Sequence, residues 1–235
     1  MLILFPVPIG SDDIALSLPP DNAIALNTCH HFIVEQERTA RRNLKRMGYR
    51  HAIDDTTFFI LNKHTTDDEF STIVDSLMDL HTQGLNVGLM SEAGLPCVAD
   101  PGSRVVAQAH RIGIPIQPLV GPSSLFLALM ASGFNGQNFA FLGYLPIPFA
   151  QRKTTLTAIV RKIRQFHQTQ IFIETPYRNN ATLSFLANSL PPDISICVAS
   201  DITLPSQNIR TLPAPQWRIS PPDFNRHYCV FLLNA

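Results

Sequence analysis

Long apolar runs are missing from this 235-residue chain. None reaches the ~18 residues that a membrane-spanning helix needs. The opening MLILFPVPIGSDD has no basic segment and is broken by two prolines, so it reads as a first strand and a turn rather than a signal peptide. Neither sign of charge is in excess: 18 Lys and Arg meet 18 Asp and Glu. The chain is therefore no polycation, and any grip on nucleic acid has to come from a local basic patch. Cysteine is sparse. Cys29, Cys97, Cys197 and Cys229 form no CxxC pair, which argues for buried thiols in a reduced, cytoplasmic setting and against a metal site. His30 and His31 are adjacent and would point to opposite faces of a strand, a poor geometry for sharing a metal. The chain also has no GxGxxG, GxxxxGK[ST], GxSxG or HExxH. Those absences speak against a Rossmann dinucleotide site, a phosphate loop, a nucleophile elbow and a zinc protease.

What is present is an alternation of strand-like and helical segments, which implies an α/β architecture. Strands are expected at Leu2–Val7, Asn86–Met90, Pro115–Leu119, Gln137–Leu145, Ile171–Glu174, Ile194–Ala199 and Tyr228–Leu233. Helices are expected at Glu37–Met47, from a capping box of Thr66 and Glu69 up to Gly84, from about Arg152 to Phe166, and at Asn179–Leu190. Asp100 and Pro101 suit the N-cap and first position of another helix, with Val105, Val106, Ala109 and Ile112 inward. Ser123 and Ser124 open a very apolar segment that reads as a buried core helix. The proline-rich stretch from Leu204 to Pro222 reads as a loop with a short edge strand around Trp217.

Four loops follow expected strands: Pro6-Val7-Pro8-Ile9-Gly10, Ser91-Glu92-Ala93-Gly94-Leu95-Pro96 continuing to Asp100-Pro101-Gly102, Gly121-Pro122-Ser123-Ser124, and Glu174-Thr175-Pro176-Tyr177-Arg178. Ligands of open α/β sheets bind beyond the carboxyl ends of the strands. A serine-rich loop at a helix start offers free N–H groups to a carboxylate or phosphate. Singly, each loop is also ordinary turn and cap chemistry. One helix carries a further signal. Arg38, Arg41, Arg42, Lys45 and Arg46 recur at helical spacing, with only Glu37 to offset them. Like charges at that spacing repel, so the stripe is either a solvated face or a phosphate-binding surface. Lys153, Arg161, Lys162 and Arg164 would extend it.

The series PIG, SEAGLPCVADPG, GPSS, GYLP and ETPYR, in that order, resembles the tetrapyrrole-methylase superfamily, and within it the small-subunit ribosomal-RNA cytidine 2′-O-methyltransferase family. The similarity runs from Leu2 to about Thr211. It implies two α/β domains, here 1–117 and 118–235, with a cleft between them that holds S-adenosylmethionine and no Rossmann site. It also implies a homodimer. Carried over by motif, Pro8 and Ile9 would floor the cleft; Ser91, Glu92, Ala93 and Leu95 would line the methionine part of the cofactor. Pro122, Ser123 and Ser124 would supply N–H and hydroxyl groups, and Thr175 would lie near the cofactor. Glu35 and Glu174 are the candidate proton acceptors, while Arg38, Arg41, Arg42, Lys45 and Arg178 would hold substrate RNA. The pattern is not intact. The family's EDTR reads Glu35-Gln36-Glu37-Arg38, its SDAG aspartate is Glu92, and its ARELTK reads Ala199-Ser200-Asp201-Ile202-Thr203-Leu204. The expectation is thus methyl transfer to ribosomal RNA at a ribose 2′-hydroxyl. A small-molecule (tetrapyrrole-type) methyltransferase and a non-catalytic SAM- or RNA-binding relative remain open beside it.

Overall fold

The computed structural model describes residues 1–10 and 13–235; residues 11 and 12, part of the turn expected after the first strand, lie outside the described residues. The chain divides into two compact units, Met1–Ser123 and Ser124–Ala235. The fifth strand is paired with the first up to Pro118, and the Leu119 N–H donates to the Leu4 carbonyl.

The first unit is built on five parallel strands: β1 (Leu2–Phe5), β2 (Cys29–Val34), β3 (Thr57–Ile60), β4 (Asn86–Met90) and β5 (Ile116–Pro118), in the order β3-β2-β4-β1-β5. Helices α1 (Asp21–Leu26) and α2 (Glu37–Arg46) contribute to the core on one face, with Phe5, Phe32 and Leu44 at its centre. Helices α3 (Asp67–Thr82) and α4 (Ser103–Arg111) cover the other, where Phe70, Ile73, Val105 and Ala109 pack on Leu2 and Leu89. A sheet buried on both faces reads as continuous apolar runs, and β4 was legible for that reason. The strands β2 and β3 were not expected: β2 opens with Cys29-His30-His31, and β3 has only four residues. The Thr66–Glu69 capping box is present in both directions and opens α3. The start of α4 differs from expectation. Asp100 is not its N-cap, since its carboxylate turns back to accept the N–H groups of Cys97 (2.9 Å) and Gly102 (2.7 Å), and the helix begins at Ser103. At its far end Ile112 is exposed rather than inward.

The second unit has a mixed sheet of five strands: β6 (Phe139–Tyr144), β7 (Thr169–Ile173), β8 (Ser195–Ser200), β9 (Asn208–Pro213) and β10 (Cys229–Asn234). Their order is β6-β7-β10-β8-β9, with β6 parallel to β7 and every other pair antiparallel. Helices α6 (Phe149–Phe166) and α7 (Asn179–Ser189) bury one face around Phe172 and Phe231. Helix α5 (Ser124–Ser132) lies on the other. The edge strand in the proline-rich stretch is β9, not a segment at Trp217. Trp217 sits in a 3-10 turn (Ala214–Arg218), buried, its indole N–H donating to the Ile196 carbonyl at 3.0 Å. A buried indole needs such a partner. Nor is α5 a wholly buried helix. Ala128 and Leu129 face the sheet, while Phe126 and Met130 stay 57% and 77% exposed.

Candidate functional site

In the first unit, β1 and β4 are neighbours whose connections leave in opposite directions, β1 through α1 toward β2 and β4 through α4 toward β5. The carboxyl ends of strands at such a reversal are the place where open α/β sheets bind ligands. The loops there are bonded to each other. Val7 and Gly94 exchange two backbone hydrogen bonds, of 2.9 and 3.1 Å. Gly94 has φ +72°, and a Cβ on it would stand 3.2 Å from Ile9 and 3.4 Å from the Pro122 carbonyl. At Gly121 an added Cβ would lie 2.1 Å from the Cβ of Pro6. Glycine is therefore needed at both positions, once for a left-handed turn and once for backbone approach. The fold thus joins the loops after β1, β4 and β5. Asn22, buried beside them, ties its amide to the Val120 carbonyl at 2.9 Å.

The individual side chains differ in how available they are. Pro8 and Ile9 are buried, Leu95, Pro122, Ser123 and Ser124 are half-buried, and Glu92 and Ala93 are exposed. The Ser91 hydroxyl is buried and points into its own loop, toward the Ala93 and Gly94 carbonyls at 3.2 and 3.4 Å. Cys97 and Ala99 in the same loop take left-handed φ of 68° and 63°, a local strain that residues other than glycine adopt only when their surroundings impose it. Here the Asp100 carboxylate, bound to two backbone N–H groups, supplies that constraint.

Acidic groups gather at this end of the sheet. Glu35 follows β2 directly, half-buried, and shares a small pocket with Val34, Met90, Asp100 and Pro101. Burial raises the pKa of Glu35 above the ordinary carboxylate value, the charges of Asp100 and Glu92 raise it further, and a hydrogen bond from the Glu92 N–H works against them. Burial also raises Asp100, opposed by the N–H groups of Gly102 and Cys97. No group of three or more His, Cys, Asp or Glu among the described residues is placed to hold a metal ion. The cysteines are all free. Burial lifts Cys29 to about 11 and Cys97 and Cys229 to about 12, so these thiols stay protonated.

The basic stripe on α2 is real but not uniform. Arg38, Arg42 and Lys45 are exposed. Arg41 is not available in the same way. Its guanidinium bonds Glu37 at 2.8 Å and Asp54 at 3.0 Å and lies over the Phe58 ring. Charge is segregated within this unit: α3 carries Asp67, Asp68, Glu69, Asp75 and Asp79 and no Lys or Arg, and it covers the opposite face of the sheet from α2. In the second unit, α6 has five cations and no carboxylate. Arg164 is paired with Asp193 at 2.8 Å, while Lys153, Arg161 and Lys162 are exposed.

The fourth loop lies in the second unit, at the end of β7. Glu174 is buried there and its carboxylate is fully engaged. Oε1 accepts the Thr175 N–H at 2.8 Å; Oε2 accepts from Arg178 at 2.8 Å and from the Thr182 hydroxyl at 2.9 Å. Thr175 is exposed and Arg178 half-buried. A second network, for which the sequence gives no local signal, adjoins it. Asp201, buried at the end of β8, accepts from the Ser206 hydroxyl at 2.7 Å and the Tyr228 N–H, and its Oδ2 lies 2.6 Å from the His227 Nδ1. Burial pushes Asp201 up, but these hydrogen bonds outweigh it and hold the carboxyl below its ordinary range.

Residues 17–216 match the family model of the tetrapyrrole (corrin/porphyrin) methylases. A ribosomal RNA small subunit methyltransferase I of Vibrio cholerae is 32% identical over 158 residues, 67% of this chain and 52% of that protein. The protein of that name in Leptospira borgpetersenii is 34% identical over 185 residues, 77% of this chain and 68% of that protein. The matched part spans only about half to two thirds of such curated relatives. Among solved structures, diphthine synthase is similar at a TM-score of 0.70 and 13% identity, covering 100% of this chain and 90% of that one. The methyltransferase CobJ follows at 0.62 and 17%, with 99% and 93% covered. At those identities the likeness concerns the fold.

Proposed function

The chain belongs to the tetrapyrrole (corrin/porphyrin) methylase family, and on that premise we propose that it transfers a methyl group from S-adenosylmethionine to RNA, ribosomal RNA at a ribose 2′-hydroxyl. The observation that carries this reading is the convergence of the loops after β1, β4 and β5, through the Val7–Gly94 bridge and the close approach of Gly121 to Pro6. The donor set at these loops fits the cofactor. Its sulfonium and ammonium are cations, and Glu35, Glu92 and Asp100 supply negative charge. Its carboxylate needs N–H and hydroxyl donors, and that part is assigned to Pro122, Ser123 and Ser124 at the start of α5. In the proposal Pro8, Ile9, Ala93 and Leu95 exclude water around it, and Ser91 shapes the loop from within. Bound there, the cofactor supplies an electrophilic methyl group.

Glu35 is the proton acceptor in this reading. Its carboxylate is half-buried and its pKa is raised by burial and by the charges of Asp100 and Glu92, the direction that makes a carboxylate a stronger base. Glu174 is the weaker candidate, because three donors already hold its oxygens. Its role is to position Thr175 and Arg178. Substrate phosphates are assigned to Arg38, Arg42, Lys45 and Arg178, with Arg41 bracing α2 from Glu37 and Asp54. Ribosomal RNA as substrate is supported by the relatives' printed name and by the one-sided charge of α2. A homodimer is supported by the apolar side chains Phe126 and Met130 that α5 leaves exposed. A cytoplasmic site of action goes with the RNA substrate and the free thiols. No helix among the described residues is long and apolar enough to cross a membrane.

Calorimetric titration tests the core of this reading. One S-adenosylmethionine, or its demethylated product, should bind per chain, and labelled methyl should pass to RNA from cells that lack the protein. A folded protein that takes up neither ligand ends the proposal.

A further inference from the structure

We propose that the edge of the second sheet at the end of β7 is a stacking platform for unpaired RNA nucleotides; this rests on the RNA-substrate reading above. The sheet order β6-β7-β10-β8 sets four strand ends side by side at that edge. Tyr144 is registered opposite Ile173, Val230 lies opposite Ile173 on the other side, and Cys229 lies opposite Ser200. Each of the first three strands carries a tyrosine there. Tyr144 ends β6, Tyr177 follows β7 and Tyr228 precedes β10, exposed by 56%, 80% and 76%. The chain has four tyrosines. The other, Tyr49, is buried with its hydroxyl bonded to the Cys29 carbonyl. His227 adds a further half-exposed ring beside Tyr228.

Loops that present bare rings are usually loose, and these are not. The Asn179 amide donates to the Phe224 and His227 carbonyls, both at 2.8 Å, and the Arg226 N–H donates to the Pro176 carbonyl at 2.9 Å. Asp201 and Tyr228 exchange backbone and side-chain bonds, and Asp201 fixes the His227 ring. Glu174 holds the start of the Tyr177 loop. The backbone is strained at the same place: Asp201, Thr203 and Arg226 have φ of 49°, 76° and 69°. For a β-branched residue such as Thr203 that conformation is an outlier, and strain of this kind persists where the surroundings impose it. Exposed aromatic rings carried on a fixed backbone suit flat ligands. Arg226, exposed on the same segments, adds a cation beside the rings. Of the carboxylates among them, Glu174 and Asp201 are buried and turned inward, Glu174 onto Arg178, and Asp223 is bonded by the Asn180 amide and the Asn225 N–H. Flat and accessible, for an RNA substrate, describes nucleotides that are splayed out of a duplex, since paired bases hide their faces.

The experiment measures binding of a short fluorescein-labelled single-stranded RNA, and of the same RNA annealed to its complement. The proteins are wild type and the variants Tyr177→Ala, Tyr228→Ala, Tyr177→Phe and Tyr228→Phe. Both positions are exposed, and thermal unfolding should be unchanged. Each alanine variant should bind the single strand roughly 5- to 150-fold more weakly, with the phenylalanine variants close to wild type, because stacking needs the ring and not the hydroxyl. Duplex binding and S-adenosylmethionine affinity should not move. Alanine variants that hold the single strand as tightly as wild type overturn the platform and leave the RNA reading resting on α2. So does a change in sedimenting mass without a change in affinity, which would mark the edge as an interface between copies. A wild-type protein that binds S-adenosylmethionine but no RNA overturns the substrate reading and the platform with it.

Discussion

Two glutamates stand at equivalent places in the two units and have opposite surroundings. Glu35 directly follows β2 and Glu174 directly follows β7, each a turn before a helix with an arginine close behind. Glu174 is buried, yet three donors neutralise it, and its charge is part of the structure. Glu35 is less buried but sits near Asp100 and Glu92, and its charge is opposed. Position in the sequence therefore does not assign a role. The partners do: a satisfied carboxylate stiffens a loop, and an opposed one is poised to take a proton.

The largest expected effect tests the satisfied member. Glu174→Ala removes the acceptor for Arg178, Thr182 and the Thr175 N–H at once. Breaking a buried pair from one side costs about 3–5 kcal/mol, and the partial exposure of Arg178 places this variant near the lower figure. Urea denaturation should show the loss, and Glu35→Ala should show none of comparable size. Equal losses would erase the distinction between the two glutamates.

The next effect sharpens the same contrast on the loop geometry of the first unit. Gly121→Ala would set a methyl group 2.1 Å from the Cβ of Pro6, whose ring cannot swing aside. Overpacking of this kind costs about 1–3 kcal/mol. It should also separate the loops after β1 and β5, so S-adenosylmethionine affinity should fall together with the unfolding midpoint. A drop in stability with affinity intact would show that the joined loops serve the structure and no more.

A smaller effect is expected on α2, where stability is not at issue. Replacing Arg42 and Lys45 by Ala removes two exposed cations. Every phosphate that the variant no longer neutralises should lower the log–log salt slope of RNA binding by about 0.7 to 0.9. Arg41→Ala should leave the slope nearly alone and lower the unfolding midpoint only slightly, because its guanidinium is already shared by Glu37 and Asp54 in an exposed pair. Filter binding across a salt series separates the two outcomes. An unchanged slope in the Arg42 and Lys45 variant makes the stripe a solvated face.

Much of the fold was legible because local chemistry announced it. The Thr66–Glu69 box opens α3, and the apolar run Asn86–Met90 is a strand flanked on both sides. Of the loops that resemble a family pattern, those after β1, β4 and β5 meet in the first unit, at Val7, Gly94, Gly121 and Pro6. What was hidden depends on partners distant in sequence. Nothing local makes His31 part of a buried sheet, since the pairing of β2 with β3 and β4 decides it. The turn of Asp100 toward Cys97, the pairing of Arg41 with Asp54, and the clamp of Asp201 on His227 are likewise tertiary choices. Ring exposure at Tyr144, Tyr177 and Tyr228 follows from strand order, which spacing along the chain does not reveal.

The smallest effect falls on the opposed member of the pair. The folded chain raises the pKa of Glu35, through burial first and then through the charges of Asp100 and Glu92. The folded state therefore holds this proton more tightly than the unfolded state does. The contribution of Glu35 to stability is complete below its ordinary value of 4.5 and is lost as pH climbs through the raised one. That is the reverse of a paired carboxylate. Glu35→Gln keeps the shape and stays neutral throughout. Its unfolding midpoint should match wild type near about pH 4 and exceed it by a small margin at about pH 7, with the gap opening just above the ordinary carboxylate range. The same variant should bind S-adenosylmethionine somewhat more weakly at neutral pH, since a negative charge facing a cation has gone. Midpoints that stay together at every pH would mean that Glu35 titrates like an exposed carboxylate. It would then no longer be set apart as a proton acceptor, and Glu92 and Asp100 would be left to face the cofactor alone.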